Sequence, residues 1–139
     1  MRISMIALFA WLFGSAHAID VTGESKSETA ARIKGDREVI AALANAKSNL
    51  TKPHELEFHF IGYSESKLSA LAEEGKTLGY RVSKIDTLVD KDGRRYWFFD
   101  LIQGIVPTEK NIVSHTAIMA ALARKYGAEY DGWGCQVVE

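Results

Sequence analysis

The sequence predicts an α+β domain, and three observations carry that prediction. Residues 55–61 alternate with a period of two, Leu56, Phe58 and Phe60 pointing one way and Glu55, Glu57, His59 and Ile61 the other. Two later stretches repeat apolar residues at helical spacing: Leu68, Leu71, Ala72 and Leu78, then Ile112, Thr116, Met119, Leu122, Ala123 and Tyr126. Between these stretches Asp92-Gly93 separates two strand-like runs, which is the signature of a tight hairpin.

The elements follow in order. Residues 19–35 are polar, rich in small residues and punctuated by Gly23 and Gly35, so they read as a flexible segment leading into a helix. Asp36 is the expected cap of that helix; Val39, Ile40, Leu43 and Ala44 form its stripe, and Asn49 and Pro53 close it. The alternating strand comes next. Ser64 caps the second helix and Gly79 offers a left-handed stop. Residues 80–89 form a second strand and residues 94–105 a third, whose Tyr96-Trp97-Phe98-Phe99 run marks a central position. Thr108 caps the last helix and Gly127 ends it; a closing strand is expected from about residue 133 to 138. After the first helix the order is β-α-β-β-α-β. This predicts a ferredoxin-like, four-stranded antiparallel sheet with two helices on one face, preceded by an N-terminal helix, in one domain over 36–139.

The first eighteen residues read as an export signal. Arg2 supplies the positive start, residues 3–13 are apolar but for Ser4, and Ser15-Ala16-His17-Ala18 places small residues where a signal peptidase cuts. Cleavage after Ala18 would leave 121 of the 139 residues, in the periplasm or outside the cell. A chain of that size hides roughly 65 % of its unfolded surface and can build a core unaided. The net charge of −1 argues against a nucleic-acid binder. Cys135 is the single cysteine, so no internal disulfide is available and packing must supply the stability.

The residues Glu129-Tyr130-Asp131-Gly132-Trp133-Gly134, at the end of the last helix, and Leu78-Gly79-Tyr80-Arg81-Val82 upstream carry a resemblance. In this order they are similar to the family of the regulator of ribonuclease activity B, over about residues 36–139. The resemblance implies a small non-enzymatic domain that binds an endoribonuclease and inhibits it by contacting its regulatory region. It implies a protein partner, no direct contact with nucleic acid and no cofactor. An exported protein as partner is the alternative that the N-terminal segment raises.

Several groups compete for a functional role. Gly132 and Gly134 let the backbone turn sharply, so the closing motif reads first as a rigid helix-to-strand corner and second as a partner contact through Trp133, Tyr130 and Asp131. Glu55, Glu57 and His59 share the strand face away from the helices and form another candidate partner surface. His54-Glu55-Leu56-Glu57-Phe58-His59 resembles a zinc-protease signature but places its second histidine one residue late, on a strand; no metal site is expected. His115 and Cys135 are the only candidate acid–base and nucleophile pair, and no third group orients them. Lys91, Arg94, Arg95 and Lys110 read as a solvated cluster around the hairpin and the loop that follows, and Asn49-Leu50-Thr51 fits a glycan acceptor.

Overall fold

A computed structural model describes residues 19–139. The export signal read in residues 1–18 lies outside the described residues. The elements are α1 (Lys26–Asn45), β1 (His54–Gly62), α2 (Glu65–Thr77), β2 (Arg81–Val82), β3 (Asp86–Val89), β4 (Arg95–Ile105), α3 (Glu109–Tyr126) and β5 (Glu129–Gly134). The sheet is antiparallel in every pairing. β1 is central, with β4 on one side and β5 on the other, and β2 and β3 share the outer edge of β4. This is the expected ferredoxin-like arrangement with its second strand broken in two.

The break has a local cause. Arg81 pairs with Ile102 and Val82 with Leu101, but Asp86 resumes opposite Phe98, so the edge carries one extra residue between them. Ser83 bridges the interruption: its amide donates to the Asp100 carbonyl, and its hydroxyl accepts from the Asp100 amide at 2.8 Å. Edge strands tolerate such bulges because only one ladder is disturbed.

The apolar sides of β1 and β4 bury Leu56, Phe58, Phe60, Phe99, Leu101 and Ile105 against Leu68, Leu71 and Ala72 of α2 and Ile112, Met119 and Leu122 of α3. Helix α1 packs along α3 and adds Leu43 to the same core. Ser64 and Thr108 cap α2 and α3 as expected, each hydroxyl accepting an amide three residues on. Gly79 and Gly127 stop those helices in left-handed backbone, at φ of 100° and 62°.

Three expectations are corrected. Helix α1 does not begin at Asp36. It starts ten residues earlier, at a capping box in which the Glu28 amide donates to the Ser25 hydroxyl and the Ser25 amide donates back to the Glu28 carboxylate. Residues 26–35, expected to be flexible, are therefore its first half. Gly35, read as punctuation, sits inside the helix, and Asp36 lies on its buried stripe. The closing strand is Glu129–Gly134, not 133–138, so the glycine-tryptophan motif is the strand itself rather than a corner before it. The hairpin after β3 is wider than a two-residue turn: Val89 pairs with Arg95, the Asp90 amide donates to the Arg94 carbonyl, and within the loop only Gly93 takes positive φ.

Ser25→Ala is expected to lower stability by about 1 kcal/mol in urea denaturation, the usual worth of an N-cap. A helix that began at Asp36 would leave that substitution neutral.

Candidate functional site

The closing motif is built around a buried carboxylate. Asp36, 3 % exposed on α1, accepts from the Trp133 indole Nε1 at 3.1 Å through Oδ1 and from the Thr116 hydroxyl at 2.6 Å through Oδ2. Thr116, on α3, in turn accepts from Arg32 Nη1 at 2.7 Å. Arg32 also donates to the Val113 carbonyl and chelates Glu24 with Nε and Nη2. One polar chain thus runs from the segment before α1, through α1 and α3, to β5.

Burial is the largest influence on Asp36 and raises its pKa above the usual carboxylate range. The hydrogen bonds from Thr116 and Trp133 and the charge of Arg32 offset that rise only in part, and Glu24 adds to it. Glu24 is held low, chiefly by its hydrogen bonds from Arg32. The two carboxylates differ because Arg32 hydrogen-bonds Glu24 directly but reaches Asp36 only at 3.8 Å, where burial outweighs its charge and the neutral donors.

Trp133 is 7 % exposed and pairs with Phe58 on the helix side of the sheet. Tyr130 also faces inward and packs on Phe60 at 5.5 Å between ring centroids. Burial raises the Tyr130 pKa far beyond the normal phenol range, and its hydroxyl has no hydrogen-bond partner among the described residues. Between Trp133 and Tyr130 the β1–β5 register slips by one residue, and Gly132 takes a φ of 85° there, a conformation that favours glycine. Gly134 lies opposite Glu57 with no positive φ. The slip turns Asp131 outward, where it is exposed.

The other face of the sheet is not covered by the helices. Glu55, Glu57 and His59 lie on it as expected, together with Ile61, Tyr96, Phe98, Asp100 and Ile102. They do not converge on a common point. Glu55 pairs with Arg81 of β2, and His59 Nδ1 meets Asp100 Oδ1 at 2.6 Å. Toward the hairpin the face becomes aromatic: Tyr63 meets Tyr96 at 6.5 Å, Tyr96 meets Phe98 at 6.0 Å, and the Arg94 guanidinium lies 3.7 Å from the Tyr63 ring centroid. Tyr63 and Leu88 are 48 % and 54 % exposed. A shallow recess of about 300 Å³ joins Leu88, Tyr96 and Phe98 to His59, Asp100 and Asp131. Lys110 does not join Lys91, Arg94 and Arg95: they lie at the start of β4 or before it, and Lys110 lies beyond its other end, at the start of α3.

The remaining candidates are engaged locally. His54 is fully buried; its Nδ1 meets the Lys52 carbonyl at 2.8 Å and its Nε2 the Ser48 hydroxyl at 2.6 Å. That serine also accepts from the Val138 amide, so the histidine helps pin the C-terminal segment. Asn49 closes a turn by accepting from the Thr51 amide and hydroxyl. His115 bonds through Nδ1 to the Tyr80 hydroxyl and stacks on Phe58; burial lowers its pKa. Cys135 packs against the core, and burial raises its thiol pKa, with the Glu57 charge adding to the rise. A protonated, half-buried thiol is a poor nucleophile. Among the described residues no group of three or more histidine, cysteine, aspartate or glutamate side chains could hold a metal ion, and no helix is long and apolar enough to cross a membrane.

Sequence reasoning found the motif but missed its anchor. Asp36 and Thr116 both sit on apolar stripes of their helices, at positions where neighbours three or four residues away are apolar. A polar residue in such a place signals a buried hydrogen-bond partner.

The raised pKa of Asp36 fixes the sign of a pH effect. The folded state holds this proton more tightly than the unfolded state, so the contribution of Asp36 falls as pH rises from the ordinary carboxyl range through the folded value. Asp36→Asn removes that term. Urea titrations over roughly pH 3.5 to 7 are expected to show stability shifting toward the variant as pH rises; parallel profiles would remove Asp36 as the source.

The family model for regulator of ribonuclease activity B matches residues 34–135, which includes the Asp36–Thr116–Trp133 network. The chain is 30 % identical over 115 residues to a regulator of ribonuclease activity B from Pseudoalteromonas atlantica, covering 83 % of this chain and 98 % of that protein. It is 31 % identical over 98 residues to the protein of that name from Actinobacillus succinogenes, covering 70 % of this chain and 69 % of the relative. A third, from Pseudoalteromonas translucida, is 31 % identical over 97 residues, 70 % of this chain and 87 % of the relative. A match over most of the chain establishes that this protein belongs to the regulator of ribonuclease activity B family.

Proposed function

We propose that this chain is a non-catalytic regulator that binds an endoribonuclease through the uncovered face of its sheet and so limits RNA degradation. Family membership supports the target class, since the relatives are named for regulating ribonuclease activity. The observation that carries the surface is the aromatic end of the open face, where Tyr63, Leu88, Tyr96 and Phe98 lie side by side with Arg94 over Tyr63. Tyrosine, other aromatics and arginine dominate the residues that carry binding energy at protein interfaces. Glu57, His59 and Asp131 form a polar margin to the patch. Glu55 contributes less, because Arg81 already neutralises it and both side chains are solvated. Trp133 and Tyr130 act on the surface indirectly, by holding β5 in place.

The test is a binding titration with a purified endoribonuclease of the same source, alongside its RNA-cleavage rate. The chain is expected to bind and slow cleavage, and Leu88→Asp or Phe98→Asp to weaken binding by tenfold or more, on the order of 1.4 kcal/mol, with the circular dichroism spectrum intact. A complex indifferent to both substitutions would refute the surface, and no complex would refute the target.

The N-terminal segment supports a second reading of where the chain acts. We propose that residues 1–18 direct export, so that the mature chain begins at Ile19. Fractionation with N-terminal sequencing decides this. A chain starting at Ile19 outside the cytoplasm assigns the same face to an exported protein partner; a cytoplasmic chain that keeps residues 1–18 assigns it to the nuclease.

A further inference from the structure

A second recess lies away from the open face. It is a cleft of about 690 Å³ between α1 and β5. Val39 and Ala42 of α1 and Trp133 of β5 form its apolar lining, and Glu38 and Asp131 stand exposed beside them. Neither acid forms an ion pair among the described residues. Arg32, the one cation lining the cleft, does not neutralise them, because it is occupied by Glu24 and Thr116. The cleft is therefore acidic with an apolar floor.

A second, independent feature concerns its shape. Gly35 lines the cleft from inside helix α1, at no positive φ, and a Cβ built there meets nothing within 4 Å. Neither backbone strain nor packing against the rest of the chain calls for glycine at this position, while glycine in a helix interior costs roughly 0.5–1 kcal/mol against alanine. What its missing side chain does is keep the cleft wide. β5 is also the terminal strand of the sheet on this side, so the cleft runs beside an unpaired strand edge. Asp131 borders both this cleft and the recess on the open face.

We propose that the α1–β5 cleft receives an extended segment of the protein partner bearing arginine or lysine. The aliphatic stem lies on Val39, Ala42 and Trp133, and the cationic head meets Glu38 and Asp131. Long basic side chains suit such a place, because their methylenes bury on apolar surface while the charge stays at the wet rim. The acidic rim also raises the local concentration of a basic segment, an effect that salt screens. This inference rests on the reading that the partner is a protein, and it adds a second contact, of opposite chemical character to the aromatic face.

The experiment is calorimetric titration of the full chain with a capped hexapeptide of alternating arginine and leucine, and with its glutamate–leucine counterpart. The basic peptide is expected to bind saturably, more weakly at high salt, and the acidic one not at all. Gly35→Leu places its Cβ in open space and raises helix propensity; it should weaken binding at least tenfold while leaving the melting temperature unchanged or higher. The double reversal Glu38→Lys with Asp131→Lys should do the same to affinity. Equal binding of both peptides, or affinities unmoved by Gly35→Leu and by the double reversal, overturns the proposal. Titrating the same variants with the endoribonuclease keeps the two readings apart: a nuclease complex that forms when the peptides fail leaves the target standing and removes only the cleft.

Discussion

The buried carboxylate of Asp36 is the constraint on which the rest of the structure depends. It joins α1 to α3 through Thr116 and α1 to β5 through the Trp133 indole. Each bond is charge-assisted, and such bonds contribute ~1.5–3 kcal/mol when both partners are present. Yet burial raises the Asp36 pKa despite them, so desolvation outweighs what the donors return. The network is thus a poor source of net stability and a strong source of specificity. Any other placement of α1 or β5 would leave a buried charge, an indole N–H or a hydroxyl without its partner, at a cost of ~1–3 kcal/mol for each neutral group.

That arrangement shapes both surfaces assigned a role. β5 meets the sheet only through β1, in a strand of 6 residues with a bulge in its middle. Short, bulged edge strands are weakly specified by their ladders alone. Trp133, tied to Asp36, supplies the missing specification, and the bulge beside it turns Asp131 outward between cleft and open face. Helices α2 and α3 take one side of the sheet, α1 lies along α3, and the other side is left to the aromatic row and its polar margin. The chemistry follows from that division. Three of the groups with catalytic potential serve structure: His54 the C-terminal segment, His115 Tyr80 and Cys135 the core.

Much of the fold was legible. The period-two alternation of β1, the caps Ser64 and Thr108 and the glycine stops all encode local geometry, and local geometry is what a single sequence expresses most directly. The first helix was misplaced for a physical reason. Gly35 and Asp36 look like a breaker followed by a cap, but the helix passes through both because Asp36 finds donors on two distant elements. Tertiary pairing overrode propensity there, although the Ser25–Glu28 capping box was already written upstream. The closing strand was shifted because its pairing with β1 begins at Glu129, before the glycines, and the one-residue register slip depends on the partner strand. The face carrying Glu55, Glu57 and His59 was legible from alternation alone; its aromatic end was not, since it forms only when β3 and β4 fold beside the end of β1.

The most direct measurement is a double-mutant cycle in urea denaturation at neutral pH, using Asp36→Ala, Trp133→Phe and the pair together. If the carboxylate and the indole hold α1 and β5 in register, the two changes are coupled by about 1–3 kcal/mol, because the second substitution has little left to break once the first is made. Losses that add to within about 0.5 kcal/mol would mean that the two side chains act independently, and the anchor assigned to Asp36 would not exist.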